Sequence, residues 1–159
     1  MELQINAEKV VVDVKPATLL LDALRDLGFQ GAKRGCETSH CGACTVLLDG
    51  QAVHSCVVLA HRTRGKEITT IEGLSKDGEL HDLQKLFLRF GAVQCGYCTP
   101  GMILAGKALV DQNKHPALQD IRAGLDGNLC RCTGYTSIFN AVLAYAELRG
   151  NVHENKFHP

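Results

Sequence analysis

Eight cysteines in this 159-residue chain have a spacing that indicates a metal-binding role. Four of them form the first set, in which four, then two, then eleven residues separate successive members: Cys36, Cys41, Cys44 and Cys56. A loop with this spacing, closed by one distant cysteine, is typical of plant-type [2Fe–2S] sites. The first set is therefore predicted to ligate one [2Fe–2S] cluster.

The other cysteines form the second set, a C-x2-C pair followed by a C-x-C pair: Cys95, Cys98, Cys130 and Cys132. Each pair is predicted just before a helix, where unpaired N–H groups and the positive end of the dipole favour an anionic ligand. Zinc sites usually place about two to four residues between ligands, so the tight C-x-C pair fits iron–sulfur chemistry better. A second [2Fe–2S] cluster is predicted here, and no cysteine is left over.

Two other uses of the thiols remain open, a pair of zinc sites and a disulfide scaffold. Thiolate quartets bind zinc readily. Disulfides need an oxidising compartment, whereas residues 1–14 lack the basic and apolar regions of a signal peptide. No apolar run reaches the roughly 18 residues of a membrane span, so a cytoplasmic protein is expected. The balance of 17 basic and 17 acidic residues indicates neither a nucleic-acid nor an anionic-membrane partner.

The first half of the chain has the pattern of a small sheet with one helix. The predicted elements are a hairpin over 3–14, a helix from an N-cap at Thr18 to about Leu27, and strands over 45–48, 51–56 and 67–71. These elements, with the long cysteine loop between the helix and the third strand, predict a β-grasp domain like that of plant ferredoxins.

The Asp49-Gly50 pair explains how the distant cysteine joins the first set. This dipeptide between two strands is a strong signal for a two-residue hairpin. Counting back from the turn, Cys44 faces Ser55. Cys56 is therefore predicted to lie beside Cys44 despite the gap in sequence.

The second half changes to a helical period. Apolar residues recur at three- and four-residue steps over 80–90, 100–113, 116–125 and 137–149, which predicts a four-helix bundle. A polar stretch over 73–79 marks the predicted boundary. The chain is thus expected to be α+β, with a ferredoxin-like domain over 1–75 and a helical [2Fe–2S] domain over 76–159 that ends in a short tail, 151–159.

A weak internal repeat connects the two pairs of the second set. Cys95-Gly-Tyr-Cys98-Thr-Pro-Gly101 and Cys130-Arg-Cys132-Thr-Gly134 each precede a predicted helix. Two helical hairpins related by an approximate two-fold axis would each deliver one pair of ligands. Chance similarity is the alternative.

Three long motifs in this order resemble the small iron–sulfur subunits of the molybdenum hydroxylases. They span residues 35–46 (GCETSHCGACTV), 94–102 (QCGYCTPGM) and 127–135 (GNLCRCTGY). That family includes xanthine dehydrogenases, aldehyde oxidoreductases, N-heterocycle hydroxylases and aerobic carbon monoxide dehydrogenases. The resemblance extends over almost the whole chain, to about residue 149.

The resemblance implies partners and a direction of electron flow. A large molybdopterin subunit and a medium FAD subunit are expected, in a dimer of heterotrimers. Electrons would pass from molybdenum to the second set, then to the first set, then to FAD. Gln94 would hydrogen-bond the pterin, and Cys132 would lie against its ring system. On the residues alone, Gln94 could instead satisfy local backbone, and the chain could be a free-standing two-cluster carrier.

The triplet Thr38-Ser39-His40 departs from the commoner family pattern, which has glycine at the central position. The triplet resembles the carbon monoxide dehydrogenase small subunits and their near relatives. Serine adopts a positive φ less readily than glycine, so a left-handed backbone at Ser39 is in question. His40 is predicted to cover the first cluster. The other histidines show no ligand spacing and are predicted to be surface groups: His54, His61, His81, His115, His153 and His158.

Overall fold

The computed structural model describes residues 1–154. Five strands form one mixed sheet: β1 (Glu2–Ile5), β2 (Glu8–Val11), β3 (Thr45–Leu48), β4 (Gln51–His54) and β5 (Glu67–Thr69). The helices are α1 (Leu20–Asp26), α2 (Asp82–Arg89), α3 (Thr99–Gln112), α4 (Leu118–Leu125) and α5 (Thr136–Glu154). The α+β prediction is confirmed, with the sheet in the first half and four helices in the second.

The sheet has the strand order β2-β1-β5-β3-β4. Only the β1–β5 pair is parallel among these neighbours, so each terminal hairpin is joined to the other through β5. The Asp49-Gly50 turn is confirmed, with φ of 50° and 79° and Leu48 opposite Gln51. Positive φ at both central residues is what a twisted two-residue hairpin requires.

Three predicted boundaries in the first half are wrong. The helix begins at Leu20 rather than after Thr18, because the chain before it stays extended and pairs with a later segment: Leu20 N–H donates to Val58 O at 2.7 Å. The fourth strand ends at His54, since residues 55–57 form a 3-10 turn. The fifth strand ends at Thr69 for the same kind of reason, a 3-10 turn over 71–73.

The first core lies between the sheet and α1. Two of the cysteines, Cys44 and Cys56, belong to it, together with apolar side chains from both elements: Leu3, Ile5, Leu20, Leu21, Leu24, Val46 and Ile68. The closing half of the first cysteine set is thus fixed by the hydrophobic core, whereas the loop that carries Cys36 and Cys41 lies nearer the surface.

The helices of the second half pack on one another and on the sheet. α2 lies against α5, α4 packs between α3 and α5, and α3 also covers β3. Leu47 of β3 belongs to the helical core, alongside Phe87, Met102 and Tyr145. The two halves therefore share apolar packing. Residues 76–79 form a tight turn at Asp77-Gly78, within the predicted boundary.

The end of α5 corrects the predicted tail. The helix continues through Glu154, so the tail begins inside a helix, and residues 155–159 lie outside the described part of the chain. His81, predicted as a surface group, is instead half-buried. Its Nδ1 accepts the N–H of Leu83 at 3.2 Å, which caps α2, and its ring lies 5.4 Å from that of Tyr145.

A further property concerns membranes. Across residues 1–154, none of the helices has both the length and the apolar composition that crossing a bilayer would need.

Candidate metal centres

Cys36 is surrounded by donors from its own loop. The backbone N–H groups of Thr38, His40 and Cys41 donate to Cys36 Sγ at 3.4, 3.3 and 3.3 Å. These hydrogen bonds, with Thr38 contributing most, lower the pKa of Cys36 to about 5. A thiolate is the form that binds metal, so the loop backbone prepares this side chain for ligation.

Ser39 adopts the left-handed backbone that the sequence placed in question, with φ of 64°, and Glu37 does the same at 58°. The hydroxyl of Ser39 is 2.8 Å from His54 Nδ1, at the end of β4. This contact holds the tip of the loop against the sheet and offsets the strain of the backbone. His40 contacts Thr38 Oγ1 at 2.9 Å within the same loop.

Cys44 and Cys56 meet as the hairpin register predicts. Thr45 pairs with His54, and one step further Ser55 donates from both its N–H and its hydroxyl to Cys44 O, at 3.3 and 2.7 Å. Burial, followed by the neighbouring Cys56 thiol, raises the pKa of Cys44 to about 11. Cys44 is thus held as a neutral thiol that must release its proton when a metal binds.

The second set also consists of two close pairs. Burial, and then the neighbouring Cys130, raises the pKa of Cys98 to about 12. Burial of Cys130 opposes its ionisation, yet hydrogen bonds from Thr133 and from the N–H of Cys132 leave its pKa below the usual value. The contact with Cys95 raises the pKa of Cys132. Cys98 therefore pairs with Cys130, and Cys95 with Cys132.

The helix-start prediction holds for one cysteine pair more closely than for the other. Cys98 is the N-cap of α3. Cys130 and Cys132 instead precede α5 by a short loop that ends at Tyr135, which has φ of 70°. The dipole of α5 therefore acts on these two thiols from further away.

The loop before α5 replaces the helix end with side-chain donors. The hydroxyl of Thr133 donates to Cys130 Sγ at 3.2 Å and accepts the N–H of Tyr135 at 3.1 Å. The hydroxyl of Tyr135 in turn accepts the N–H of Cys130 at 3.0 Å. Neither of these roles was predicted from the sequence; the signal that could have found Thr133 is its place directly after a ligand.

A short hydrogen-bonded bridge connects two cysteine loops, the loop of Cys36, Cys41 and Cys44 in the first set and the loop of Cys130 and Cys132 in the second set. Leu129 N–H donates to Cys41 O at 2.9 Å, and each partner is a cysteine or the neighbour of one. The Asn128 amide, 5% exposed, donates to Gly42 O and to Thr45 Oγ1, both at 3.0 Å. Asn128 lies inside the third motif, but its type alone gave no indication of this contact.

Two glycines allow this close approach. A Cβ on Gly42, which has φ of +68°, would lie 2.4 Å from Gly127 O. A Cβ on Gly101 in α3 would lie 2.4 Å from Gly42 O. Side chains at these positions would force the two cysteine loops apart.

A second tie and several exposed groups surround the second set. Tyr97 OH donates to Arg34 O at 2.6 Å, which joins the C-x2-C loop to the start of the first cysteine loop. Gln94, Cys95 and Cys132 are all exposed, as is Arg131. The only exposed thiols among the eight therefore belong to one pair, next to Gln94.

The donor chemistry fits two binuclear clusters. Within residues 1–154, no three His, Cys, Asp or Glu side chains converge in the way that would hold a single metal ion. Each set is instead two pairs of thiols, and a [2Fe–2S] cluster needs four cysteines distributed over two irons. Backbone N–H groups aimed at Cys36 and the hydroxyl aimed at Cys130 are the outer partners that thiolate clusters use.

Comparisons with known proteins identify two [2Fe–2S] domains in this chain. Residues 3–71 match the family described as a 2Fe-2S iron-sulfur cluster binding domain, and residues 70–143 match a [2Fe-2S] binding domain. The small FeS subunit of nicotinate dehydrogenase from Eubacterium barkeri is 48% identical over 143 residues, 89% of this chain and 91% of that protein. The iron-sulfur-binding subunit of xanthine dehydrogenase from Escherichia coli O157:H7 is 47% identical over 145 residues, 90% and 91% of the two chains.

The chain belongs to the iron–sulfur subunits of the molybdenum hydroxylases. A solved structure of quinoline 2-oxidoreductase from Pseudomonas putida 86 superimposes with a TM-score of 0.90 at 42% identity, covering 95% of both chains. The family resemblance seen in the three motifs is confirmed. As a member of this family, the protein is an electron-transfer subunit of an oxidoreductase and carries two [2Fe–2S] domains.

Proposed function

We propose that the protein relays single electrons from a molybdopterin site in a large partner subunit to FAD in a medium partner subunit. It would use the second cysteine set first and the first set afterwards. The observation that carries this proposal is the bridge between the sets, in which Cys41 O accepts the N–H of Leu129 at 2.9 Å. From Cys41 to Cys130, the two ligand loops are connected by one hydrogen bond and one peptide link.

The cysteines and their neighbours would hold the electron carriers. When bound, two [2Fe–2S] clusters supply a one-electron redox centre at each set. The N–H groups around Cys36 and the Thr133 hydroxyl beside Cys130 donate to thiolate sulfur, so they stabilise negative charge there. Burial of Cys44 and Cys56 keeps water from that half of the first set.

The exposed face of the second set is the proposed contact with the molybdopterin subunit. Cys132 and Cys95 reach the surface together, and Gln94 is exposed beside them. The proposal gives Gln94 an amide hydrogen bond to the pterin and places Cys132 against its ring system. The exposed loop over 37–40 beside the first set would face the FAD subunit.

The proposal extends to the organisation of the chain and of the complex. We propose a β-grasp domain over 1–75 and a helical domain over 76–159 in which α2 to α5 form a four-helix bundle. The mutual contacts of these helices support the bundle. The complex is proposed to be a dimer of heterotrimers in the cytoplasm, whose reducing conditions suit eight free thiols.

The substrate of the complex is proposed only as a class. The relatives are named for nicotinate, xanthine and quinoline, which are all N-heterocycles. The Thr38-Ser39-His40 triplet resembles that of carbon monoxide dehydrogenase small subunits. None of the three relatives named above is a carbon monoxide dehydrogenase, so they do not support carbon monoxide as the substrate. An N-heterocycle, purine, aldehyde or carbon monoxide is therefore the proposed range.

Purification of the native protein from its source tests the subunit role. We expect it to emerge with molybdenum- and flavin-containing chains, and with about four iron and four sulfide ions per copy of this chain. Emergence as a single coloured chain would instead establish a free-standing carrier. A colourless protein with stoichiometric zinc would exclude the clusters altogether.

Cysteine variants of the same complex test the two separate sites. Cys98→Ser is expected to remove one of two electron paramagnetic resonance signals, and Cys56→Ser the other. Each variant is the control for its counterpart, since both replace a ligand of one site alone. If either variant abolished both signals while circular dichroism stayed native, the two-site proposal would be wrong.

A further inference from the structure

Thr99 has a buried hydroxyl that the electron-relay proposal does not use. Its Oγ1 is inaccessible to solvent and has no hydrogen-bond partner among the described residues. Buried hydroxyls are nearly always paired, because removing them from water without a partner is costly. An unpaired one beside a metal-binding residue indicates an acceptor that belongs to the bound group.

The position of Thr99 excludes the usual partner of a threonine at a helix start. Thr99 is the first residue of α3 and directly follows Cys98, which itself occupies the N-cap. A capping hydroxyl accepts the N–H of a residue two or three positions further along the helix, and Thr99 Oγ1 receives no such hydrogen bond. The hydroxyl therefore does not cap α3, and it still carries a proton that needs an acceptor.

Thr133 shows what a threonine at the equivalent position does. In the internal repeat predicted from the sequence, Thr133 follows Cys132 as Thr99 follows Cys98. Its hydroxyl donates to a ligand sulfur, Cys130 Sγ, at 3.2 Å. The Thr133 hydroxyl thus has a sulfur acceptor, whereas the Thr99 hydroxyl has no acceptor among the described residues.

We propose that the Thr99 hydroxyl donates a hydrogen bond to a sulfur atom of the cluster held by the second set, either a thiolate or a bridging sulfide. This inference rests on the proposed cluster function. A hydrogen bond to sulfur strengthens as negative charge on the cluster increases, so it stabilises the reduced state more than the oxidised one. The Thr99 hydroxyl thereby raises the reduction potential of the second site.

The test is potentiometry of the purified complex, followed by electron paramagnetic resonance. Cys98→Ser first identifies which signal belongs to the second site. Thr99→Val, which removes the hydroxyl at nearly constant volume, is expected to shift that potential to more negative values and to leave the first site unchanged. Thr99→Ser restores a hydroxyl and is expected to return the potential towards that of the wild type.

Two matched variants separate the specific effect from general loss of a buried hydroxyl. Thr133→Val is expected to shift the second site in the same direction, because it removes the hydrogen bond to Cys130. Thr63→Val removes a buried hydroxyl that donates to Ala60 O at 2.7 Å, in the first half of the chain, and should move neither potential. Thr99→Ala provides a second hydroxyl-free variant if the valine variant does not assemble.

The outcomes distinguish this inference from the function on which it rests. An unchanged second potential in either hydroxyl-free Thr99 variant, alongside a shift in Thr133→Val, would overturn the role of Thr99 alone. Absence of a second signal from the wild-type complex would instead refute the proposed function. A negative shift in the Thr99 variants that serine reverses supports the hydrogen bond.

Discussion

Replacing Asn128 with alanine is expected to loosen the contact between the two cysteine loops. The amide is 5% exposed and donates two hydrogen bonds, to Gly42 O and Thr45 Oγ1. At about 0.5–1.5 kcal/mol for each, their loss lowers the free energy of unfolding by about 1–3 kcal/mol. Gly42 O keeps the N–H and hydroxyl of Thr45 as donors, so no acceptor is stranded there and the loss stays within this range.

Asn128→Asp tests the donor role at nearly constant size. The carboxylate cannot donate, and it places a negative charge beside Gly42 O. We therefore expect a larger loss of stability than in Asn128→Ala at neutral pH. Gln112→Ala is the matched control, since Gln112 donates to Gln51 at 2.9 Å across the same two halves but on the surface. Exposed substitutions of this kind change stability by less than about 0.5 kcal/mol.

Urea unfolding of the cluster-loaded protein, followed by circular dichroism, measures these changes at a common slope. The same preparations report electron exchange between the sites after flash photoreduction. Because Asn128 precedes the bridging Leu129 N–H, we expect Asn128→Ala to slow that exchange. If Asn128→Ala costs no more stability than Gln112→Ala, the buried amide does not hold the loops together and the reasoning is refuted.

Three other perturbations have expected outcomes. Burial lowers the pKa of His81 below its usual 6.5. The contribution of the neutral imidazole to the free energy of unfolding is therefore fully present above pH 6.5 and is lost as the pH falls through the folded pKa. The urea midpoints measured at about pH 7.5 and 5.5 should differ less in His81→Asn than in the wild type, because asparagine does not titrate. Gly101→Ala should destabilise the protein by about 1–3 kcal/mol, because its Cβ would lie 2.4 Å from a backbone oxygen. Gly124→Ala faces the flexible methyl groups of a leucine and should be neutral or stabilising. Thermal melting of both variants measures the difference, and equal effects would contradict this expectation. Tyr97→Phe removes an exposed hydrogen bond to Arg34 and should lower the urea-derived free energy of unfolding by less than about 1 kcal/mol.

The sequence predicted those helices and strands that a clear hydrophobic period or a specific turn dipeptide marks. The Asp49-Gly50 turn determined the register that brings Cys56 to Cys44, because a two-residue turn leaves one pairing. Element boundaries were less accurate. Thr18 looked like an N-cap, but the backbone before α1 pairs with residues after Cys56, a non-local contact that no local pattern contains. His81 likewise lacked a signal, because its burial depends on Tyr145, more than sixty residues away.

The eight cysteines and their spacing determined the chemistry of this protein from the sequence alone, because ligand type and local spacing are properties of short segments. The tertiary structure decided how the two sets relate. Three features arise only when segments distant in sequence pack together: the Cys41–Leu129 hydrogen bond, the two hydrogen bonds of Asn128 and the buried, unpaired Thr99 hydroxyl. Such contacts depend on the shared core and on glycines that admit close backbone approach, and these act through space rather than along the chain.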